Sequence, residues 1–374
     1  MCFTHFLLIL LKVRRFANVT GRGYTCDEVF MPDNSLIESR KADHIRINLE
    51  EDVQSGLSTG LENYRFIHEA LPNLNLRDVN LSQELFGKKL RIPILISSMT
   101  GGTKEAFEIN TVLAQVAEQS GLAMGVGSQR VALEKAETRS TFQVRKYAPN
   151  TILLANIGAV QLNYGLEPDD CQKAVDMVEA DALILHLNPL QEALQVEGDT
   201  NFSGLLGKIE SVCRRIKVPV IVKEVGWGIS GQTAEQLANV GVNVIDVAGA
   251  GGTSWSQVEL FRMDDQNQRK IAGAFRNWGI PTAESIQVVK KNAPGVKIFA
   301  SGGIRDGIDI AKCIALGAEV GGLAGAFLKV AINGYEDVSA LVDVFAKQIQ
   351  ISMFATGVKT LEELRLRNRV ERID

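Results

Sequence analysis

The sequence predicts an α/β chain folded as one (β/α)₈ barrel, the TIM-barrel class, with an N-terminal extension and C-terminal helices. Three observations lead there. From Ile92 onward a short apolar run, ending in Gly, Ser, Asn or a charged residue, alternates with a longer amphipathic segment, eight times over. The runs are apolar throughout, as in parallel strands buried on both faces. The length of 374 residues exceeds the ~250 of a bare barrel and still suits one such domain with insertions.

The predicted strands are residues 92–98, 122–126, 151–157, 182–187, 218–225, 242–248, 296–300 and 319–324. Helices are expected between them at 104–119, 169–179, 205–216, 234–239, 282–291 and 308–316, with closing helices at 337–356 and 360–368. Eight alternations favour a closed barrel over an open doubly wound sheet. Residues 249–281, after the sixth strand, read as a long loop of the functional or mobile kind. Residues 35–90 are polar and irregular, suited to plug the barrel bottom or reach over its top.

The domain division is residues 1–34 as an extension and 35–374 as a single barrel domain. The extension holds an apolar run, residues 6–13, followed by Arg14 and Arg15. It is too short to span a bilayer, and the order of charge and apolar run is wrong for a secretory signal. A disordered extension from an upstream start codon fits it better than an interfacial anchor. The net charge of −4 gives no broad basic face, so no nucleic-acid partner is expected, nor a membrane. Five cysteines without a CxxC pair exclude a disulfide framework and suit a reducing cytoplasm. Cys313, in an apolar helical pattern, reads as a buried filler.

Active sites in this fold lie just beyond the C-terminal strand ends. The seventh and eighth ends carry Gly302-Gly303-Ile304-Arg305 and Ala324-Gly325. Glycines let a backbone approach a phosphate, and their N–H groups point at its oxygens. Two such turns on adjacent strands with an Arg between them favour a phosphate-bearing cofactor over simple tight turns. Lys223 ends an apolar strand and needs a partner at that depth. It can hydrogen-bond a flavin ring, form a Schiff base, or pair with Glu224 or Asp246. His186 ends another strand, and Asn188, Gln191 and Glu192 follow it, as in a polar pocket. Glu192 can hold Mg²⁺, which takes one or two carboxylates plus phosphates, or be a solvated loop carboxylate. Ser128 and Arg130, either side of Gln129, suit a second phosphate. Arg40, Lys41 and His44 by themselves read as a solvated charged face.

Together these stretches resemble the type II isopentenyl-diphosphate isomerases, FMN-dependent barrels. The matching residues are Ser39 to His44, Ser98 to Gly102, Gly125 to Arg130, His186 to Glu192, Val222 to Gly226, Asp246 to Trp255 and Ser301 to Gly307. Asn188-Pro189-Leu190-Gln191-Glu192 and Gly251-Gly252-Thr253-Ser254-Trp255 are the most telling, and residues 1–34 have no counterpart. The resemblance implies interconversion of isopentenyl and dimethylallyl diphosphate with reduced FMN and Mg²⁺, in isoprenoid biosynthesis, with NADPH as flavin reductant. It implies FMN among Ser98, Met99, Thr100, Gly101, Ser128, Asn156, Lys223 and Thr253, its phosphate at Gly303, Ile304, Arg305, Ala324 and Gly325. Substrate would lie on Arg40, Lys41, His44, Ser128, Gln129, Arg130 and Gln191, with Mg²⁺ on Glu192. His186 and Gln191 would position substrate or assist proton transfer. The reduced flavin itself, near N5, is the expected acid/base, because few side chains here can protonate an unactivated alkene. A homo-oligomer, tetramer or octamer, is also implied. The chain departs from the family at Ala248, where Ser is common; that removes at most one hydrogen bond.

Three rivals remain. An FMN-dependent hydroxy-acid oxidoreductase wants a His base and an Arg near the sixth and seventh strands, yet residues 249–255 hold no His. A nucleotide dehydrogenase of the inosinate type needs a nucleophilic Cys on a top loop, which none of the five supplies. A catalytically inert flavin-binding barrel would keep the Gly303 and Arg305 site and lose diphosphate affinity.

Overall fold

A computed structural model describes residues 43–373. Arg40, Lys41 and the extension at 1–34 lie outside the described residues. Eight parallel strands close into a barrel: β1 (Ile94–Ile96), β2 (Ala123–Gly125), β3 (Ile152–Gly158), β4 (Ala182–His186), β5 (Val220–Lys223), β6 (Val244–Asp246), β7 (Lys297–Ser301) and β8 (Val320–Leu323). β8 pairs with β1, as Gly322 opposite Leu95, which closes the ring. All eight predicted runs are strands, most of them shorter than the apolar run that contains them.

Strand alternation sorts the side chains. One buried cluster takes Leu95, Ala123, Leu154, Ile184, Ile221, Val244, Phe299 and Val320, one from each strand, and is therefore the barrel interior. Their neighbours, such as Ile96, Met124, Ala155, Leu185, Val222, Ile245 and Ala300, face the surrounding helices in a second, larger core. The expected helices are present. Two are capped by a side chain that the sequence supplies locally: Thr103 accepts from the Ala106 N–H at the start of Lys104–Ser120, and Asp306 from those of Ile308 and Asp309 at Gly307–Leu316.

The pre-barrel segment serves both ends. A hairpin pairs Gln83–Leu85 with Lys88–Leu90 and sends Leu85 and Leu90 into the interior cluster from below. Lys88 meets Asp181 at 2.7 Å there. Residues 43–50 form a helix over the top. Residues 53–55 follow along the loop beyond β6, with the Ser55 N–H on the Gly252 carbonyl and the Ser254 N–H on that of Val53.

One expectation needs correcting. Residues 249–281 are not an irregular loop but contain two helices, Trp255–Arg262 and Gln266–Ala274. They fold because each has a local apolar partner. Val258 packs with Ile47 and Val53, and Met263 and Ala272 pack with Leu194. Helices this short show little sequence periodicity. Cys171 and Cys313 are buried among helices. Burial pushes both thiols up, the opposite of what a nucleophile needs.

Candidate active site

The alternation that makes the interior apolar also builds the site. Two residues beyond the interior layer, the same inward face presents Ser97, Gly125, Asn156, His186, Lys223, Asp246, Ser301 and Gly322. An apolar plug thus carries a polar floor at the C-terminal mouth. Sheet register puts Gly158, His186, Lys223 and Asp246 at one level, each paired with the next. The glycines keep this floor open: a Cβ on Gly322 would stand 2.7 Å from Ser97 Oγ, and one on Gly125 would stand 2.4 Å from Ser98 Oγ.

Lys223 makes an ion pair. Its Nζ lies 3.7 Å from Asp246 Oδ2 and donates to the Glu224 carbonyl at 2.9 Å and to Ser301 Oγ at 3.4 Å. Ser301 Oγ donates to Asp246 Oδ1 at 2.7 Å. The Glu224 carboxylate is engaged elsewhere, accepting the backbone N–H groups of Val225, Gly226 and Trp227. Of the alternatives for Lys223, Asp246 is the side-chain partner.

His186 is held by Asn156, with Nδ1 2.9 Å from Asn156 Oδ1. Burial and, after it, the nearby Lys223 cation push His186 down to about 4, so its imidazole is neutral at neutral pH.

A second network covers the mouth. Glu259 Oε1 accepts from His44 Nε2 at 3.1 Å and from Gln191 Nε2 at 3.0 Å, and Oε2 accepts from Arg262 at 2.7 Å. Burial opposes the Glu259 charge, but His44, Gln191 and Arg262 outweigh it and hold the carboxyl down to about 2. With Nε2 committed to a carboxylate, Gln191 turns Oε1 to Asn188 Nδ2 at 3.3 Å. That amide also donates to Glu192 Oε1 at 2.8 Å. The second Glu192 oxygen accepts from the Asp199 N–H at 2.7 Å, and Gly198 packs so closely that a Cβ would stand 1.8 Å from the Glu192 carbonyl oxygen. His44 stands edge-on to Trp255, centroids 5.0 Å apart.

Four groups on the floor are buried without a hydrogen-bond partner among the described residues: Ser97 Oγ, Ser98 Oγ, Thr100 Oγ1 and Asp246 Oδ2. Native interiors rarely tolerate such groups, so they suit a polar ligand on the floor. At the rim, Gly302 and Gly303 have φ of 99° and 70°. A Cβ on Gly303 would stand 2.5 Å from the Gly251 carbonyl and from Thr59 Cγ2. Gly325 opens the Gly325–Ala331 helix with clear space where a Cβ would stand. Backbone N–H groups bared in this way suit a phosphate. For a divalent ion the fit is conditional. No cluster of three His, Cys, Asp or Glu exists among the described residues. The buried Glu192 carboxylate therefore suits only an ion whose other ligands are phosphate oxygens and water.

The structure brings Ser98, Thr100, Asn156, His186 and Lys223 to the floor, and His44, Gln191 and Glu192 to the cover. Thr253 Oγ1 donates to Asn48 at 3.4 Å, joining the loop beyond β6 to the residue 43–50 helix. Ser128 is half-buried between β2 and Arg130, Met99 packs partly into the core, and Gly101 lies against Phe142, whose ring leaves no room for a Cβ. Three places differ from expectation. The Gln129 side chain is fully buried, donating to the Ala174 carbonyl and accepting from the Asn156 N–H, so it has no hold to offer a substrate. The Ile304 side chain packs into the outer core, which leaves only its backbone for a phosphate. Arg130 is already paired with Glu134 at 2.9 Å and Asp199 at 2.7 Å, which leaves only part of its donor fork for a phosphate. Glu259 and Asp199 escaped the sequence reading altogether. Glu259 lies one turn beyond Trp255, on a helix taken for loop.

A polar barrel floor with a glycine rim beyond β7 and β8 suits the class of flavin-binding barrels. A family model for FMN-dependent dehydrogenases matches residues 172–371. An isopentenyl-diphosphate delta-isomerase of Nostoc sp. (strain PCC 7120) is 53% identical over 342 residues, 91% of this chain and 98% of that protein. One of Rickettsia africae is 51% identical over 334 residues, 89% and 98% of the two chains. The chain belongs to the isopentenyl-diphosphate delta-isomerase family, of the FMN-dependent type. Among solved structures, a mandelate oxidase superposes with a TM-score of 0.62 at 18% identity over 90% of this chain and 98% of that one. A flavocytochrome b2 gives 0.64 at 18% over 89% and 82%. These two share the fold.

Proposed function

We propose that this enzyme interconverts isopentenyl diphosphate and dimethylallyl diphosphate, with reduced FMN at the barrel mouth. The observation that carries the reading is 53% identity spanning 98% of a relative so named. The partnerless hydroxyls of Ser98 and Thr100 and the glycine rim at Gly303 support a flavin in that place.

The reaction adds a proton at one alkene carbon and removes another two carbons away, with no net redox change. Reduced FMN supplies the proton-transfer group, and NADPH serves only to bring the flavin to that state. The chain's own residues bind and orient. Lys223, its charge balanced by Asp246, offers N–H groups to the flavin ring, with Met99, Gly101, Ser128, Asn156 and Thr253 around it. Gly303, the Ile304 backbone, Arg305, Ala324 and Gly325 hold the cofactor phosphate. Arg40, Lys41, His44, Ser128, Arg130 and Gln191 grip the substrate, and Glu192 would hold Mg²⁺, which would offset the charge of its diphosphate. The cation and the basic residues anchor the substrate without moving the double bond. Gln191, tied at both ends of its amide, and His186 set the alkene against the flavin face. A homo-oligomer of four or eight chains, a cytoplasmic setting, a place in isoprenoid biosynthesis, and the absence of nucleic-acid or membrane partners complete the proposal.

The decisive assay is anaerobic: NADPH-reduced, FMN-loaded protein with Mg²⁺ and isopentenyl diphosphate should form dimethylallyl diphosphate. No product from protein that retains reduced FMN overturns the isomerase reading. Glu192→Gln should weaken the Mg²⁺ dependence of the rate while leaving FMN bound. Loss of flavin in that variant would sink the metal assignment. Gly303→Ala should strip FMN, because φ of 70° costs a non-Gly residue roughly 1–2 kcal/mol and the new methyl meets backbone. A normal ratio of flavin absorbance to protein would contradict this.

A further inference from the structure

We propose that Gln129 and Asn156 are a positioning pair that holds His186 as the imidazole protonated on Nδ1, leaving Nε2 as a hydrogen-bond acceptor beside Gly158. Two backbone carbonyls, which can only accept, fix the direction of the whole hydrogen-bond chain. Gln129 Nε2 donates to the Ala174 carbonyl at 2.9 Å. The amide orientation is thereby set, and its Oε1 end accepts from the Asn156 N–H at 3.0 Å. The Gln129 N–H in turn donates to the Asn156 carbonyl at 2.8 Å. Asn156 is therefore clamped on both backbone groups by one residue. Its own side chain donates through Nδ2 to the Val126 carbonyl at 3.2 Å. That leaves Oδ1, an acceptor, 2.9 Å from His186 Nδ1, so the ring proton sits on Nδ1.

Flipping either amide would set two acceptors face to face. Gln129 is 0% exposed and Asn156 5%, so solvent cannot repair the mismatch. On the other side of the ring, a Cβ on Gly158 would stand 3.1 Å from His186 Nε2. Gly in that place leaves the lone pair approachable. The groups facing His186 from the neighbouring strands are Asn156, the Ile157 backbone carbonyl and Gly158 on β3 and the Lys223 cation on β5. Burial and, after it, Lys223 disfavour a second ring proton and outweigh the Ile157 carbonyl, which favours one. His186 then receives a hydrogen bond from flavin or substrate and does not deliver a proton. That consequence rests on the isomerase reading, but the tautomer does not, so the two fail separately.

The test is long-range ¹H–¹⁵N correlation NMR on full-length, FMN-bound protein labelled at histidine. The chain has four histidines, and His186 is assigned by the signal lost in His186→Gln. The expected spectrum shows a protonated Nδ1 and a bare Nε2, unchanged as the pH falls through the ordinary value of 6.5 toward about 4. Asn156→Asp places a carboxylate at Nδ1 and should shift the His186 titration upward. Gln129→Leu should mix the two tautomers. A wild-type ring protonated on Nε2, or on both nitrogens at neutral pH, overturns the proposal even if neither variant folds. So do folded variants that leave both tautomer and titration unchanged.

Discussion

Glu259→Gln is expected to lower kcat/KM by about 10²-fold, the loss that follows when a reacting geometry slips by roughly an ångström. Glu259 is 1% exposed and gathers His44, Gln191 and Arg262 from three segments of the chain. A neutral amide cannot accept from all three, so Gln191 is released and the helix of residues 43–50 loses its tie to the cover. FMN should stay bound, because no floor residue touches Glu259. Steady-state rates with flavin content measured alongside decide the matter, and wild-type kcat/KM in the variant would show that the network is only structural. The same carboxyl carries a pH signature. Its pKa is depressed from 4.5 to about 2, so its stabilisation is fully present above 4.5 and is lost as pH falls toward 2. The linked free energy is about 3 kcal/mol at neutral pH. Denaturant unfolding across that window should show a shallower pH dependence in Glu259→Gln than in the wild type.

Lys223→Met should destabilise the fold by about 3–5 kcal/mol, the usual result of removing one partner from a buried ion pair. Asp246, 1% exposed, would keep its bond from Ser301 and lose the Lys223 cation. The barrel floor would also become net negative, which disfavours a flavin phosphate nearby. Both unfolding midpoint and flavin retention should fall. Adding Asp246→Asn should recover much of the stability, since the orphaned charge is then gone, while flavin affinity stays low. If Lys223→Met alone unfolds like the wild type, Asp246 is tolerated without its partner and the pair is not what holds the floor.

Much of this architecture was legible along the chain. Parallel strands buried on both faces write themselves as short apolar runs, and their ends carry Lys223, His186 and the Gly302-Gly303 turn. What was illegible shares one feature: partners far apart in sequence. His44 and Glu259 are 215 positions apart, and Arg130 and Asp199 are 69 apart. Neither Glu259 nor Asp199 ends a strand, so a reading confined to strand tops passes them by. A plug from residues 35–90 was expected, but that Leu85 and Leu90 form it was hidden, since a three-residue strand has too few positions to show alternation.

Gln129 marks the boundary between the two kinds of information. Its neighbours Ser128 and Arg130, and its place after β2, were sequence facts, and they suggested a hand on the substrate. Its side chain instead points out of the mouth, toward Ala174 on the helix after β3. Sequence determined the barrel, the level of the polar floor and the glycine rim, because periodicity and backbone conformation are local properties of the chain. Tertiary structure alone decided which polar groups meet, and so which are ligand-facing and which are braces. A buried hydrogen bond depends on position in space to within a fraction of an ångström, and sequence order does not carry that.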